Sequence, residues 1–249
     1  MSAYDQRRLF ASLGERLIYR AETGSTNDEA LDFAKQGAEG GLVILAGRQR
    51  AGRGRRGAEW FCGENAGLAF SVLLRPALAR PLWPRLALVA GLAVARAIER
   101  MGGLAEVKWP NDVLMGGKKV CGILVESEMD AVVVGIGINV GEVALPPRLA
   151  SQATSLESEL VRGPSREDVL LEVVAELDSL AQLAVTDFRA IIEMLRSRCA
   201  LSGRRVSYLA AGERRVARCR GLGEGGELLI ESGGRMEKLV QADEIRPLT

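Results

Sequence analysis

The chain has 249 residues, 47% hydrophobic and 26% charged, which is typical of a globular protein with one large core and room for a small module. Its 33 basic and 32 acidic residues nearly cancel, so the overall charge gives no reason to expect a nucleic-acid or membrane partner. The chain has no histidine, which excludes the most common metal ligand and the most common general base near neutral pH.

The cysteines are few and scattered, which is typical of a protein from the reducing cytoplasm, and we expect that location. No two of them form a C-x-x-C pair, which argues against a zinc site; they are Cys62, Cys121, Cys199 and Cys219. The N-terminus is polar and charged through Arg8, so no signal peptide is expected. Arg85 and Arg96 interrupt the longest apolar stretch, so we expect no membrane-spanning segment.

In chain order, the first predicted elements are a lead-in to about residue 20 and then a helix that ends at Gly37. Thr26 and Glu29 fit a capping box at the start of this helix, although Ser25 or Asn27 could also supply the cap. A capping hydroxyl has only limited capacity left for a ligand.

Buried strands are predicted from apolar runs at 42–46, 67–74, 105–109, 119–126 and 131–140. Helical spacing is found at 85–101, 165–183 and 187–200, and Pro146 and Pro147 mark a loop. Short strands at 204–209, 215–222, 227–231 and 236–240, joined by glycine-rich turns, predict a small all-β module. We therefore place a domain boundary near Leu201, giving domains 1–200 and 201–249.

The segment Arg48–Gly57 holds five arginines and three glycines in ten residues, and we call it the arginine loop. Guanidinium groups suit phosphate and carboxylate oxygens, and glycines let the backbone approach a ligand closely. Because a buried strand leads into it, the loop is predicted to leave the end of a core strand. By itself the pattern also fits a solvated basic turn or a nucleic-acid surface.

Gly116 and Gly117 between apolar runs predict a two-residue hairpin turn that pairs Leu114 with Lys119. Lys119 then shares a face with Asp112, a diagonal neighbour about 7–8 Å away at Cα. An ammonium and a carboxylate so placed could flank a phosphate with its magnesium, or could form only a cross-strand ion pair. Pro110 argues for a kink before this hairpin.

Glycines alternate in Gly135-Ile-Gly-Ile-Asn139, and we expect them to clear one strand face so that a flat ligand can lie against the backbone. Gly122 could do the same on a neighbouring strand. We place Asn139 on the opposite side of the alternation unless the strand ends before it. Close packing alone would explain the same glycines.

Together these stretches resemble the biotin protein ligase family. The arginine loop is similar to the family's biotinyl-adenylate-binding loop, and Lys108-Trp-Pro-Asn-Asp112 matches its most recognisable motif. Lys119-x-x-Gly-Ile-Leu-Val-Glu126 and Gly137-Ile-Asn139 follow at the family's spacing, and Ser25-Thr26-Asn27 matches the segment that holds the biotin ring. The resemblance covers almost the whole chain.

The resemblance implies an α+β fold: a mixed sheet with helices, as in class II synthetases, followed by a small SH3-like barrel. It also implies a reaction in two halves, with biotin, ATP and Mg²⁺ as the expected ligands. The biotin carboxylate attacks the α-phosphate of ATP to give biotinyl-5′-AMP and pyrophosphate. A lysine amine of a biotin carboxyl carrier protein then takes the biotinyl group and releases AMP. Neither half needs a histidine or an enzyme nucleophile.

The resemblance also assigns candidate site residues. The catalytic candidates are Lys119, Arg53 and Asp112, with Asp112 also the metal candidate. The biotin-binding candidates are Ser25, Thr26, Asn27, Gln49, Gly52, Arg53, Gly54, Arg55, Lys119 and Gly122. The ATP-binding candidates are Arg55, Arg56, Trp60, Lys108, Asn111 and Asn139, although Trp60 could equally be a packing residue.

Three other functions remain open at this stage. A lipoate ligase-like transferase would keep the same adenylation chemistry with another acid. A nucleic-acid-binding protein would need a larger basic surface and stacking aromatics, and aromatic residues are only 4% of this chain. A ligand sensor without turnover would leave the role of Lys119 unexplained.

Many bacterial members of the family begin with a winged helix-turn-helix, for which the residues before Ser25 are too few, so we expect no DNA binding. A homodimer is possible, and the sequence assigns no role to Arg50. We also expect residues 50–60 to be mobile until the adenylate orders them, because their glycines and like charges disfavour a single packed state.

Overall fold

The computed structural model describes residues 4–60, 66–142, 151–210 and 212–248. The predicted Pro146–Pro147 loop and Cys62 lie outside these residues. The described residues form two sheets, each of which has its own set of strands.

The larger sheet has seven strands in the order β1-β2-β3-β7-β6-β5-β4. Strands β1 and β2 run parallel and every other neighbouring pair is antiparallel, so the sheet is mixed. The strands are β1 Leu17–Thr23, β2 Val43–Gln49, β3 Gly67–Leu74, β4 Glu106–Lys108, β5 Asp112–Met115, β6 Lys118–Glu128 and β7 Ala131–Asn139. The central strands β3 and β7 are buried along their whole length, as their continuous apolar runs predict.

Helices cover both faces of this sheet. They are α1 Gln6–Leu13, α2 Thr26–Lys35, α3 Leu86–Arg100, α4 Leu156–Glu159, α5 Arg166–Thr186 and α6 Phe188–Arg196. The alternate residues Phe70, Val72 and Val134 join the main core with α3, α5 and α6. Ile44 and Leu73 point to the opposite face and pack with α2. The period of two along each strand therefore separates a thick core from a thin one.

The segment Arg80–Arg100 is long and apolar enough, by composition, to cross a membrane. This corrects the expectation that no apolar run reaches that length. Its apolar window is 67% buried, because α3 packs between the sheet and α5. The burial is that of a core helix, and the high hydropathy reflects contact on most sides.

Helix α2 begins and ends where the sequence indicates, but its cap differs from the predicted one. Ser25 occupies the N-cap position without a side-chain capping bond, and Thr26 is already the first helical residue. The Gln49 side chain supplies the acceptor instead, because its Oε1 receives the Thr26 N–H at 2.7 Å. At the other end Gly37 adopts φ +82°, which favours glycine.

The smaller sheet is antiparallel, with strands in the order β11-β10-β9-β8-β12. They are β8 Arg205–Ala210, β9 Glu213–Leu222, β10 Leu228–Ser232, β11 Arg235–Leu239 and β12 Asp243–Pro247. No closed barrel forms among the described strands, since β11 and β12 pair with one neighbour each. The Trp109 indole N–H donates to the Gly226 carbonyl at 3.0 Å and ties this module to the larger sheet.

Four described elements were absent from the sequence prediction, one of them the single-turn helix α4. The predicted lead-in contains α1 and β1, and β12 follows the last predicted strand. Strand β1 lies at the sheet edge and buries only its two end residues, so it lacks the apolar pattern of the inner strands. Strand β12 includes a proline and pairs irregularly with β8, which weakens its sequence signal in the same way.

Candidate active site

The sheet face that carries α2 becomes a cavity where its apolar side chains are replaced by small ones. Ala69 of β3 and Gly135 and Gly137 of β7 line this cavity, which has a volume of about 550 Å³. These residues follow the same strand alternation as Leu73 and Val133, which support α2. Loss of side-chain volume along one face therefore creates the space for a ligand.

The N-terminus of α2 closes one end of this cavity with buried polar groups. Gln49 Oε1 accepts the Thr26 backbone N–H at 2.7 Å, and the Thr26 hydroxyl oxygen lies 3.1 Å from the same amide oxygen. Asn27 donates from Nδ2 to Glu126 Oε2 at 2.8 Å. Ser25, Thr26 and Asn27 are almost fully buried. This end offers oriented amide and hydroxyl groups, which suit a small uncharged polar ring.

The hairpin of β5 and β6 places an ion pair on the cavity wall. Leu114 pairs with Lys119 as predicted, and a register shift beyond this pair sets Asp112 opposite Gly122. Lys119 Nζ lies 2.5 Å from Asp112 Oδ1, and Lys108 Nζ lies 3.8 Å from Asp112 Oδ2. The cross-strand ion pair is therefore present, and two ammonium groups share one carboxylate.

Burial lowers the pKa of Lys108 below the ordinary 10.5, against the opposing effect of Asp112. Burial also raises the pKa of the Cys121 thiol, which lies near Lys119. A thiol with a raised pKa stays protonated and is a poor nucleophile. Cys121 therefore adds packing rather than chemistry to this wall.

The arginine loop crosses the cavity, and its guanidinium groups form ion pairs with acidic side chains. Arg53 donates to both carboxylate oxygens of Asp28, at 2.6 and 3.0 Å, and this bond raises the pKa of Arg53. Arg55 lies 3.7 Å from the Asp243 carboxylate, which also pairs with Arg56. Because an incoming anion can replace a carboxylate on a guanidinium, these pairs leave the loop ready for one.

Arg50 lies outside the cavity lining, and its Nε is 3.4 Å from Glu22 of β1. Arg48 pairs with the same carboxylate at 3.7 Å. The structure therefore supplies Arg50 with a partner that the sequence did not indicate, at the base of the loop.

Trp60 lies against the glycines that were expected to receive a flat ligand. A Cβ at position 137 would collide with the indole, and one at position 122 would lie 2.9 Å from it. Gly122 and Gly137 are direct cross-strand partners, so their backbones form one flat floor under the ring. Lys119 Nζ also contacts the indole, at 5.5 Å from the ring centroid, in a cation–π interaction. In this structure the flat group on the glycine face is thus the protein's own tryptophan.

A second cavity of about 460 Å³ lies beyond Trp60 and shares Asp112 and Lys119 with the first. Lys108 and Asn139 line this second cavity. Strand β7 continues through Asn139, which therefore shares the face of Gly135 and Gly137 rather than the opposite one. The predicted placement of Asn139 was wrong, because residues two apart on a strand point the same way.

The fold brings nearly all the sequence candidates to these two cavities. Those that line the first are Ser25, Thr26, Asn27, Gln49, Arg53, Gly54, Arg55, Arg56, Trp60, Asn111, Asp112, Lys119 and Gly122. Gly52 lines neither cavity, but its carbonyl accepts the backbone N–H of Trp60 at 2.9 Å and so helps to position that residue. Sequence reasoning missed Asp28, Glu126 and Asp243, whose carboxylates hold the loop arginines and Asn27.

Comparison with known proteins gives concordant results. The sequence model of the Biotin/lipoate A/B protein ligase family matches residues 19–141. The biotin–[acetyl-CoA-carboxylase] ligase of Mycobacterium tuberculosis is 35% identical over 229 residues, which cover 86% of this chain and 83% of that protein. The bifunctional ligase/repressor BirA of Bacillus subtilis is 31% identical over 240 residues, which cover 93% of this chain and 74% of that protein.

The solved structure of the biotin protein ligase from Aquifex aeolicus in complex with biotin and ATP superposes with a TM-score of 0.85. It is 31% identical in sequence, and the match covers 94% of this chain and 100% of that one. The similarity therefore extends through both sheets.

Proposed function

This chain belongs to the biotin protein ligase family, and from that premise we propose that it activates biotin with ATP and transfers it to a carrier lysine. The observation that carries the proposal is the meeting of three groups at one cavity. These groups are the polar end at Thr26 and Gln49, the arginine loop, and the Asp112–Lys119 pair. The polar end suits the ureido ring, and the cations suit the carboxylate and phosphate.

In the first half-reaction the biotin carboxylate attacks the α-phosphorus of ATP and pyrophosphate leaves. Negative charge develops on the phosphoryl oxygens, and oriented cations in a partly buried site stabilise it. Lys119, Arg53 and Arg55 supply these cations from two different elements. The site also holds the biotin carboxylate in line with the α-phosphorus of ATP. This positioning supplies the rest of the rate acceleration.

In the second half-reaction a lysine amine of the carrier attacks the acyl carbon and AMP leaves. The mixed anhydride must be kept from water until the carrier arrives. We propose that the arginine loop covers it, because the loop lies over the cavity that would hold the acyl phosphate.

Mg²⁺ fits this site as a partner of the nucleotide. No group of three or more acidic or cysteine ligands occurs among the described residues, and Asp112 is a single carboxylate shared with two lysines. Magnesium is commonly bound by one or two carboxylates together with substrate phosphates and water. Asp112, with the neighbouring Asn111 amide, would hold it, and the ion would neutralise phosphate charge.

The proposed partner is the biotin carboxyl carrier domain of a carboxylase, by analogy with the ligase of Mycobacterium tuberculosis. A cytoplasmic location, the absence of operator binding and a possible homodimer stay predictions. Sedimentation of the purified chain and a gel-shift assay would test the last two.

The test is incubation with biotin, Mg-ATP and a purified carrier domain, followed by intact-mass measurement of the carrier. We expect one biotinyl addition that requires ATP and the carrier's acceptor lysine. Lipoate offered in place of biotin serves as the matched substrate control. Transfer of lipoate but not biotin, or no transfer of either acid, would overturn the proposal.

A further inference from the structure

Strand β3 carries one polar side chain in the middle of an apolar run. Ser71 is fully buried, and its neighbours across the sheet are Ile44 and Gly135. It does not line the cavity described above. A buried hydroxyl in a central strand is costly unless it is hydrogen-bonded, so its partners indicate what it does.

Both partners of Ser71 belong to the polar end of the cavity. Its Oγ lies 2.7 Å from Thr26 Oγ1 and 2.6 Å from Asn27 Oδ1. The close approach of Asn27 depends on Gly135, because a Cβ at that position would collide with the Asn27 amide. The strand thus provides both the hydroxyl and the space for the amide that it holds.

These contacts fix which end of each amide faces which neighbour. Asn27 Nδ2 donates to the Glu126 carboxylate, which can only accept, so Asn27 Oδ1 is the end that faces Ser71 and receives its proton. Gln49 Oε1 accepts the Thr26 backbone N–H, which can only donate, so the Gln49 end left for other partners is the Nε2 donor. A ureido ring has one carbonyl acceptor and two N–H donors, and it needs such a fixed pattern.

We propose that Ser71 is a positioning residue that sets the hydrogen-bond polarity of the ureido-binding end without touching the substrate. A hydroxyl has one proton, so Ser71 can give it to Asn27 while its oxygen still accepts the Thr26 proton. The Ser71 hydroxyl thereby links the Thr26–Gln49 pair to the Asn27–Glu126 pair. The inference rests on the proposed function, because it assigns the ureido ring to this end.

The test compares Ser71→Ala with the parent in biotin-dependent ATP–pyrophosphate exchange. Removing the hydroxyl leaves Asn27 Oδ1 without its donor and the Thr26 hydroxyl without its acceptor, so we expect the KM for biotin to rise roughly 10- to 100-fold. The KM for ATP and the kcat should change less than about threefold, since the cations are untouched. Ser207→Ala, which removes another buried serine hydroxyl in β8, is the matched control and should leave all three values unchanged.

A second measurement separates polarity from simple packing. In 2-iminobiotin a guanidine replaces the ureido group and is protonated near neutral pH, so the analogue donates where the biotin carbonyl accepts. We expect Ser71→Ala to lose about tenfold of the parent's preference for biotin over this analogue. Ser71→Cys keeps the size but has a weak donor, so it should behave like Ser71→Ala, and Ser71→Thr should restore the preference.

Unchanged biotin KM and unchanged preference in folded Ser71→Ala would overturn the inference. An equal rise in the KM values for biotin and ATP in Ser71→Ala and Ser71→Cys would also overturn it, because that result indicates general loosening. If Ser71→Ala does not fold, the Ser71→Cys measurement alone decides by the same criteria. Absence of biotin-dependent exchange in the parent would instead count against the proposed function.

Discussion

At the scale of single residues, the site is a balance of charges around one carboxylate. Asp112 faces Lys119 on the cavity wall and Lys108 in the second cavity, while Cys121 behind them stays protonated. An incoming acyl phosphate would compete with Asp112 for these cations. Each lysine therefore has a separate effect that can be measured.

Lys119→Ala should abolish most of the adenylation activity. Loss of one cation aimed at developing phosphoryl charge typically costs about 100-fold or more in rate. The exchange of pyrophosphate into ATP in the presence of biotin measures this step alone. Lys118→Ala, which alters the adjacent exposed residue of the same turn, is the control and should retain activity. Equal rates in the two variants would remove Lys119 from the proposed chemistry.

We expect ATP binding to weaken at alkaline pH because Lys108 loses its positive charge. Burial lowers its pKa, so the ammonium is lost as pH rises between that lowered value and 10.5, and the KM for ATP should rise in this window. Because burial disfavours the charged form, the folded state should gain stability as the pH rises from the lowered pKa towards 10.5, where the unfolded chain also loses this proton. Lys108→Arg keeps a cation and should flatten the pH profile of the KM for ATP. Superimposable profiles for the two proteins would contradict the prediction.

Local pairs were predictable from sequence and distant ones were not. Gly116 and Gly117 set the turn, so the Leu114–Lys119 pair followed from counting residues along two strands, and the ion pair of Lys119 with Asp112 was one of the two predicted alternatives. The register shift after Leu114, which sets Asp112 opposite Gly122, could not be counted in this way. The partners of the loop arginines, Asp28 and Asp243, come from another helix and another sheet. Only the tertiary fold brings them together, and no local pattern in the sequence encodes that proximity.

At the scale of elements, the arginine loop is the segment whose conformation depends most on ion pairs. Its cations pair with carboxylates from α2, from β1 and from the smaller sheet. Exposed ion pairs are each worth little, about 1 kcal/mol or less, so they hold the loop weakly. The expectation of a mobile loop is compatible with this arrangement and stays a prediction.

Trypsin should cut the loop more slowly once the adenylate forms. The guanidinium groups would then bind the acyl phosphate, and the cleavage sites after Arg53, Arg55 and Arg56 would be covered. We expect roughly tenfold slower cleavage with biotin and ATP together than with either one alone. Cleavage at Arg220, on the smaller sheet, provides the internal reference. Equal loop cleavage with and without both ligands would argue against closure.

The inner elements were predictable because burial on both faces gives a continuous apolar signal. Strand β3 has the predicted bounds Gly67–Leu74, and α3 differs from its predicted range by one residue at each end. Edge strands bury few residues and give no such signal, which is why β1 and β12 were missed. The glycine face of β7 was recognised, but its occupant, Trp60, comes from the arginine-loop side.

At the scale of the whole molecule, the smaller sheet contributes directly to the first cavity. Asp243 begins β12, and its side chain is only 13% exposed while it pairs with two loop arginines. Trp109, in the motif that contains Asp112, is bonded to Gly226 of the same module. Residues of both sheets therefore help to position the arginine loop.

Asp243→Asn should loosen the loop in the absence of ligands. The amide cannot neutralise Arg55 and Arg56, so we expect tryptic cleavage of the ligand-free loop to be up to about fivefold faster. Glu231→Gln, which removes an exposed ion pair with Arg220 on the same sheet, is the matched control. Equal acceleration in both variants would show general destabilisation of the module instead of a specific effect on the loop.

Trp60 has a consequence for molecules designed to block this protein. The indole forms the partition between the two cavities, and it stands on a floor that has no side chains, at Gly122 and Gly137. An inhibitor that fills both chambers must either bend around the ring edge or displace the ring and present its own flat surface to the same floor. The second design would replace the indole with another aromatic ring on the same glycines. We therefore expect a rigid bicyclic spacer to fit best between the two cavities.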